Sequence, residues 1–282
     1  MAEAKSIRVG IIGLGIIGSR IAGHLRTAGF PVAVWNRTPK DEPNFLATPA
    51  AVAEASDVIQ LFVADPKAVF EVIDAMSSAL TARHVVVCSS TIGRDATLEA
   101  ARRVQATGAR FLDTPFTGTK GAADKAQLVY YIGGDEATFL AAKPVLEAVS
   151  KVIVPIGKVG DAALVKVLTN VIGAASIEVL AETLAVLKAE GIDPAIMGAA
   201  LEHHGNRSGL IDLKLPRLIN GDYETHFSLK HMLKDVQFGL DMADECKLEL
   251  PVTRATAEAM REGMRAGWAD LDFACIMKRY TQ

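Results

Sequence analysis

The chain has 282 residues, half of them apolar, and a formal net charge of −3. That length allows one large domain or two ordinary ones, each with a real core, and the composition is globular. Without a basic run or arm, nucleic acid is not an expected partner. Cys88, Cys246 and Cys275 lie far apart with no CxxC, so neither a disulfide framework nor a zinc cluster is indicated and a reducing compartment fits best.

At the N-terminus, Lys5 and Arg8 followed by "VGIIGLGIIG" have the charge and apolarity of a secretory leader. Three glycines at fixed spacing, with Arg20 and His24 on an amphipathic continuation, point instead to strand, turn and helix. β-rich runs over 7–12, 31–35, 57–63, 84–89, 109–113, 128–133 and 151–157 alternate with helical segments. This alternation predicts a mainly parallel, doubly wound sheet over residues 1–159. After Gly160 the strand signals stop. Helical patterns broken near 190–194, 203–209, 219–223 and 248–251 predict an all-α domain over 160–282. No low-complexity linker separates the two, so a long helix is expected to join them. Lys166, Asn170, Glu178 and Glu182 interrupt that helix, no segment is expected to span a bilayer, and a soluble cytoplasmic protein is expected.

The run "GIIGLGIIGSRIAGHL" places Gly13, Gly15 and Gly18 in G-x-G-x-x-G spacing, with Leu14, Ile16 and Ile17 between them. A bare match is common in glycine-rich turns; its position after a strand and before a helix marks a Rossmann-type dinucleotide site. The first glycine permits the tight turn, the second lets a pyrophosphate approach the backbone, and the third lets helix and strand pack. The second strand then runs into Asn36, Arg37 and Thr38, where an NAD site carries an acid about 20 residues past the glycines. A guanidinium and a hydroxyl suit a 2′-phosphate, so NADP is expected over NAD, although Asp41 and Glu42 lie near.

Further on, "GDAALVKVLTN" sets Lys166 among Leu164, Val165, Val167 and Leu168, with Asn170 one helical turn away on the same face. Alone, this is a lysine snorkelling to water. An apolar setting also disfavours the ammonium and suits the amine to proton transfer.

Four ordered segments together resemble the β-hydroxyacid dehydrogenases: the glycine motif with "NRT", "FLDTPFTGTKGAADKAQL" (111–128), "GKVGDAALVKVLTN" (157–170) and "FSLKHMLKDVQFGLDMA" (227–243). The resemblance covers essentially the whole chain and is nearest to the glyoxylate/succinic semialdehyde reductase branch. It implies an α/β Rossmann-type domain followed by an all-α substrate and oligomerisation domain. It also implies hydride transfer from NADPH to a small carboxylate-bearing aldehyde or keto acid. By position, Lys166 falls on the catalytic lysine and Asn170 on the asparagine that places lysine and substrate. Thr117, Gly118 and Thr119 fall on the turn that holds the substrate carboxylate, which read alone is an ordinary loop. Thr91 falls on a residue lining the nicotinamide pocket, and Phe62 and Val63 on a cofactor-contacting Met-Leu pair. Lys234 and Asp235 fall on the K-D pair at the edge of the site, where the lysine reaches cofactor, and Phe227 closes the pocket over cofactor and substrate. The resemblance further implies a homodimer or homotetramer formed through the helical domain. Threonine at 117, where the family usually has serine, adds a methyl group, and "PKDEPNFLATP" leaves little room for the usual helix.

Other features invite plainer readings. Adjacent His203 and His204 would point about 100° apart on a helix and suggest no metal site. Asp212, Lys214 and Arg217 read as a solvated face, Cys88 as a small buried residue, and Arg207 and Ser208 as a break within reach of the site. Imine reductases share the architecture but usually lack the lysine at 166. A non-catalytic NADP-binding scaffold is the competing class, and sugar-acid phosphate dehydrogenases need a larger helical domain.

Overall fold

The computed structural model describes residues 6–281, so Lys5 of the leader-like run lies outside it. The chain divides into two compact units, Met1–Lys166 and Val167–Gln282. The division falls inside the long helix, seven residues past the expected boundary at 159/160, because that helix makes its first turn within the first unit.

The first unit alternates strand and helix: β1 (Val9–Ile12), α1 (Gly18–Thr27), β2 (Val32–Trp35), α2 (Pro49–Glu54), β3 (Val58–Leu61), α3 (Pro66–Met76), β4 (Val85–Cys88) and α4 (Arg94–Gln105). It continues through β5 (Arg110–Asp113), β6 (Phe116–Thr117), α5 (Lys120–Asp124), β7 (Leu128–Gly133), α6 (Glu136–Glu147) and β8 (Ser150–Gly157). The sheet order is β2-β1-β3-β4-β5-β7-β6, with β8 also paired to β7. Strands β1 to β5 are parallel, as are β7 and β8. Strand β7 runs antiparallel to β5 and β6.

Strands β1, β3 and β4 are buried at every position, as expected of parallel strands covered on both faces. Alternate residues feed two cores. Val9, Ile11, Val58 and Val85 pack with Ile21, Leu25 and Val145 on one side. Ile12, Ile59, Leu61 and Val86 pack with Val69, Ile73 and Val104 on the other. Each such side chain contributes roughly 1.5–3 kcal/mol on burial. Helices α2, α3 and α6 start where Thr48, Asp65 and Asp135 accept from the backbone N–H three residues ahead. No helix forms between Trp35 and Thr48, in keeping with the short segment there.

The long helix α7 (Asp161–Ala189) continues into the second unit, followed by α8 (Ile196–Glu202), α9 (Gly209–Asn220), α10 (Leu229–Glu245), α11 (Pro251–Arg265) and a closing 3-10 helix (Phe273–Tyr280). By length and composition α7 is apolar enough to cross a membrane, contrary to the expectation that its polar residues would interrupt it. Part of its apolar content is core: Ala174, Ile177, Ala181 and Leu184 are fully buried in the second unit with Val236, Ala257 and Ala274, whereas Ile172, Val179 and Val186 are exposed. Glu178 is buried as well, accepting from Arg279 at 2.9 Å and from the Tyr280 hydroxyl at 3.0 Å.

Lys214 and Arg217, expected on a solvated face with Asp212, are buried, and of that trio only Asp212 is exposed. Lys214 Nζ lies 2.5 Å from Asp272 Oδ1, and Asp272 Oδ2 accepts from the backbone N–H of His226 and of Phe227, both at 3.1 Å. Burial works against the Asp272 carboxylate, but the Lys214 ammonium and these N–H donors outweigh it and hold its pKa below the usual range. Arg217 donates to the Glu224 carbonyl and reaches His226. The partner of Lys214, Asp272, caps the 3-10 helix 58 positions on, and those of Arg217 lie on the loop just after α9; the period of α9 reveals neither. Asp272→Ala would leave the Lys214 ammonium buried and unpaired, and is expected to cost about 3–5 kcal/mol in urea unfolding. A loss below about 1 kcal/mol would contradict the role given to this pair.

Candidate active site

The glycine-rich turn is built as its spacing predicts. Gly13 sits at φ +99°, and a Cβ there would lie 2.3 Å from the Phe62 carbonyl oxygen. A Cβ on Gly18 would lie 1.9 Å from the Gly13 oxygen. Packing therefore demands these two glycines, whereas a Cβ on Gly15 would meet nothing within 4 Å. That open approach, and a helix α1 with no side-chain cap and no acidic residue in its first turn, fit a diphosphate. Ile16 is exposed beside it, and Leu14 and Ile17 pack inward.

The loop after β2 is stitched to this turn. Leu14 N–H donates to Asn36 Oδ1 at 2.9 Å, Asn36 Nδ2 donates to the Thr38 carbonyl at 2.7 Å, and Lys40 Nζ donates to the Leu14 carbonyl at 2.5 Å. Asn36 thus shapes the loop, while Arg37 and Thr38 are exposed. Lys40 is a second cation that the sequence reading missed; a lysine three residues past Arg37 was the available signal. Glu42 pairs with Arg26 at 2.8 Å, which answers one of the two nearby carboxylates.

At the C-terminal ends of β3 and β4, Phe62 N–H donates to the Ile12 carbonyl at 2.8 Å and Val63 N–H to Ser90 Oγ at 2.9 Å. The Phe62 ring lies 5.9 Å from that of Phe116, itself 5.9 Å from Tyr130. Behind the rings runs a buried polar chain: Gln60 Nε2 donates to Ser89 Oγ at 2.9 Å and to the Tyr130 hydroxyl at 3.1 Å, and Ser89 meets Thr114 at 2.9 Å. Thr91 is half-buried just beyond.

The Thr117–Gly118–Thr119 turn follows β6, a strand too short to read from sequence. Thr117 pairs with Val129, and Gly118 takes φ +142°. Thr119 caps α5, its hydroxyl accepting from Ala122 N–H at 3.4 Å, so its side chain already has a structural task. Upstream, Asp113 is buried at the end of β5, and its Oδ2 accepts from Gly160 N–H at 3.0 Å and Ala163 N–H at 2.9 Å.

Lys166 is 7% exposed on α7. Asn170, one turn on, donates through Nδ2 to Asp235 Oδ2 at 2.6 Å, and Asp235 Oδ1 lies 3.2 Å from Lys234 Nζ. The Lys234 ammonium also lies 5.2 Å from the centre of the Phe238 ring. Phe227 stacks on His231 and meets Phe273 edge-on. Arg207 pairs with Asp212 and Ser208 caps α9, which gives both a structural role. His203 and His204 are exposed, and among the described residues no group of acidic, histidine and cysteine side chains is arranged to hold a metal.

A glycine turn with an anion-receptive helix end in a doubly wound sheet, followed by a helical second unit, fits a dinucleotide-binding protein. Residues 8–157 match the family model for the NAD binding domain of 6-phosphogluconate dehydrogenase, and residues 160–280 match that for the NAD-binding region of NADP-dependent 3-hydroxyisobutyrate dehydrogenase. The chain belongs to the β-hydroxyacid dehydrogenase family of NAD(P)-dependent enzymes. It is 28% identical to glyoxylate/succinic semialdehyde reductase 2, chloroplastic, of Arabidopsis thaliana, over 98% of this chain and 80% of that one. It is 27% identical to the cytokine-like nuclear factor N-PAC of Mus musculus over 97% of its length, but spans only 51% of that protein. Its fold is that of a 3-hydroxyisobutyrate dehydrogenase of Mycobacterium tuberculosis solved with L-serine, at a TM-score of 0.90 and 22% identity, covering 99% of this chain and 100% of that one.

Burial pushes the Asp113 carboxyl from 3.8 up to about 7, against the two backbone donors, with Asp161 adding a smaller push. Folding therefore takes up a proton between these values, so stability is highest below them and falls as pH rises towards 7. The urea midpoint is expected to drop between about pH 4 and about pH 8, and Asp113→Asn to flatten that drop. Equal slopes in the two proteins would contradict the assignment.

Proposed function

We propose that this chain is an NADP-dependent reductase of a small aldehyde or keto acid, glyoxylate, succinic semialdehyde or a near relative, with Lys166 as the proton donor. The observation that carries the reading is the buried Lys166 amine on an otherwise apolar stretch, one turn from an Asn170 amide held by Asp235. Bound NADPH supplies the hydride in such a reaction. The chain supplies the rest. Negative charge develops on the carbonyl oxygen as it is reduced, and the Lys166 ammonium gives it a proton; in the reverse direction the amine takes one. The Thr117–Gly118–Thr119 turn offers backbone N–H donors and the Thr117 hydroxyl to the substrate carboxylate, which orients the carbonyl. By the family's motifs Phe62, Val63 and Thr91 are cofactor residues of the first unit and Phe227 and Lys234 of the second, Asn170 orients the lysine, and a cytoplasmic setting fits the cysteine usage.

The exposed Arg37, on the loop that Asn36 and Lys40 tie to the glycine turn, supports NADPH over NADH as the reductant. Retention of Lys166 supports an enzyme over a non-catalytic scaffold and a carbonyl over an imine substrate.

Following NADPH oxidation across glyoxylate, succinic semialdehyde, short keto acids and a cyclic imine tests the substrate class; turnover of the imine alone would refute it. Lys166→Ala is expected to lower kcat by about 10²–10⁴-fold and leave NADPH affinity within about twofold. Retained turnover would remove the assigned role. Arg37→Ala is expected to weaken NADPH at least about tenfold with NADH little changed. Equal losses for the two cofactors would refute the phosphate contact.

A further inference from the structure

Helix α7 starts at an unusual junction. A Cβ on Gly133, at the end of β7, would lie 2.5 Å from the Lys158 carbonyl oxygen and 3.3 Å from Ala162 Cβ. A Cβ on Gly157 would lie 2.6 Å from Asp161 Oδ2, and Gly160 turns the chain at φ +92°. Sheet and helix start thus meet closely, with no room for a side chain at Gly133 and little at Gly157.

Into this junction Asp113 sends one carboxylate oxygen, which accepts from Gly160 N–H at 3.0 Å and Ala163 N–H at 2.9 Å. The first turn of a helix leaves four N–H groups without intrahelical partners, and a cap normally comes from the residue just ahead of it. Here the cap comes from a sheet residue 50 positions away. Asp161 is occupied locally, accepting from Lys158 N–H at 2.9 Å.

Two distances along the chain give this cap a function. Lys166 follows Ala163 by three residues, so the bond to Ala163 fixes the turn directly beneath it. Thr117 follows Asp113 by four residues through β6. One buried carboxylate therefore ties the start of the lysine's helix to the strand that leads into the carboxylate-binding turn. We propose that Asp113 is a positioning residue for Lys166: it sets the axial position and rotation of the first turn of α7, and so the direction of the Lys166 amine relative to Thr117. The residue touches neither substrate nor cofactor. This proposal rests on the catalytic reading of Lys166.

Asp113→Asn keeps an oxygen acceptor of the same reach, Asp113→Ser keeps only a shorter hydroxyl, and Asp113→Ala keeps none. In the cofactor-free protein, amide hydrogen exchange over residues 160–166 is expected to speed up at least about tenfold in the Ser and Ala variants and to stay near the parent rate in Asn. With NADPH and succinic semialdehyde, kcat is expected to fall at least about tenfold in Ser and Ala, with KM for NADPH within about twofold, and to recover in Asn to within about threefold. Should Asp113→Ala fail to fold, the Ser and Asn proteins carry the comparison. Parent-like kcat in Asp113→Ser, or faster exchange there without loss of kcat, would overturn the proposal. Lys166→Ala run alongside separates the two claims: if it keeps turnover, the reading of Lys166 fails and takes the proposal with it. If it is inactive while Asp113→Ser is not, only the positioning role fails.

Discussion

A helix has one rotation and one axial position, so whatever fixes its first turn also fixes the direction of every side chain along it. Helix α7 runs 29 residues and carries both Lys166 and Asn170. Its start is held by the Asp113 carboxylate and by glycines that let β7 and the helix meet closely. Further along, Asp235 holds the Asn170 amide. The proposed chemistry depends on these two anchors, because an amine on a four-carbon stem works as a proton donor only when its base is held still.

The nucleotide end follows the same logic with backbone in place of side chains. Gly13 and Gly18 are required by contacts with Phe62 and with each other, and Gly15 leaves space where a phosphate would come close. Asn36 and Lys40 are spent on the Leu14 backbone, which holds the loop that presents Arg37. Thr119 likewise caps α5. In each case a polar residue at a binding turn serves first to hold the turn in shape, and binding uses the shape that results.

How much of this was readable from sequence depended on distance along the chain. The buried parallel strands declared themselves because "VVVC" and "VIQL" are nearly continuous apolar runs. The helix breaks after residue 189 were marked by Gly, Pro and Asn. The two-residue strand β6 carries no such signal. Lys214 and Arg217 were misread as solvated because their partners, Asp272 and the 222–226 loop, are brought to them by folding. The same reason hid Asp113, whose neighbours in "FLDTP" say nothing of Gly160. Of the residues expected to interrupt α7, Lys166 and Glu178 are buried and Glu182 is exposed, and the helix is long and apolar enough despite them. Motif residues with local partners were legible; residues whose role depends on a long-range partner were not.

Chemical rescue tests the central claim, proton donation by the Lys166 amine, most directly. With the side chain shortened to alanine, small primary amines such as methylamine and ethylamine added to the assay can occupy the vacated space and supply the missing proton. The account predicts that NADPH-dependent aldehyde reduction rises with amine concentration, saturates, and follows the pKa of the added amine across a series of similar size. No rescue by any amine, in a protein that still folds and binds NADPH, would contradict it.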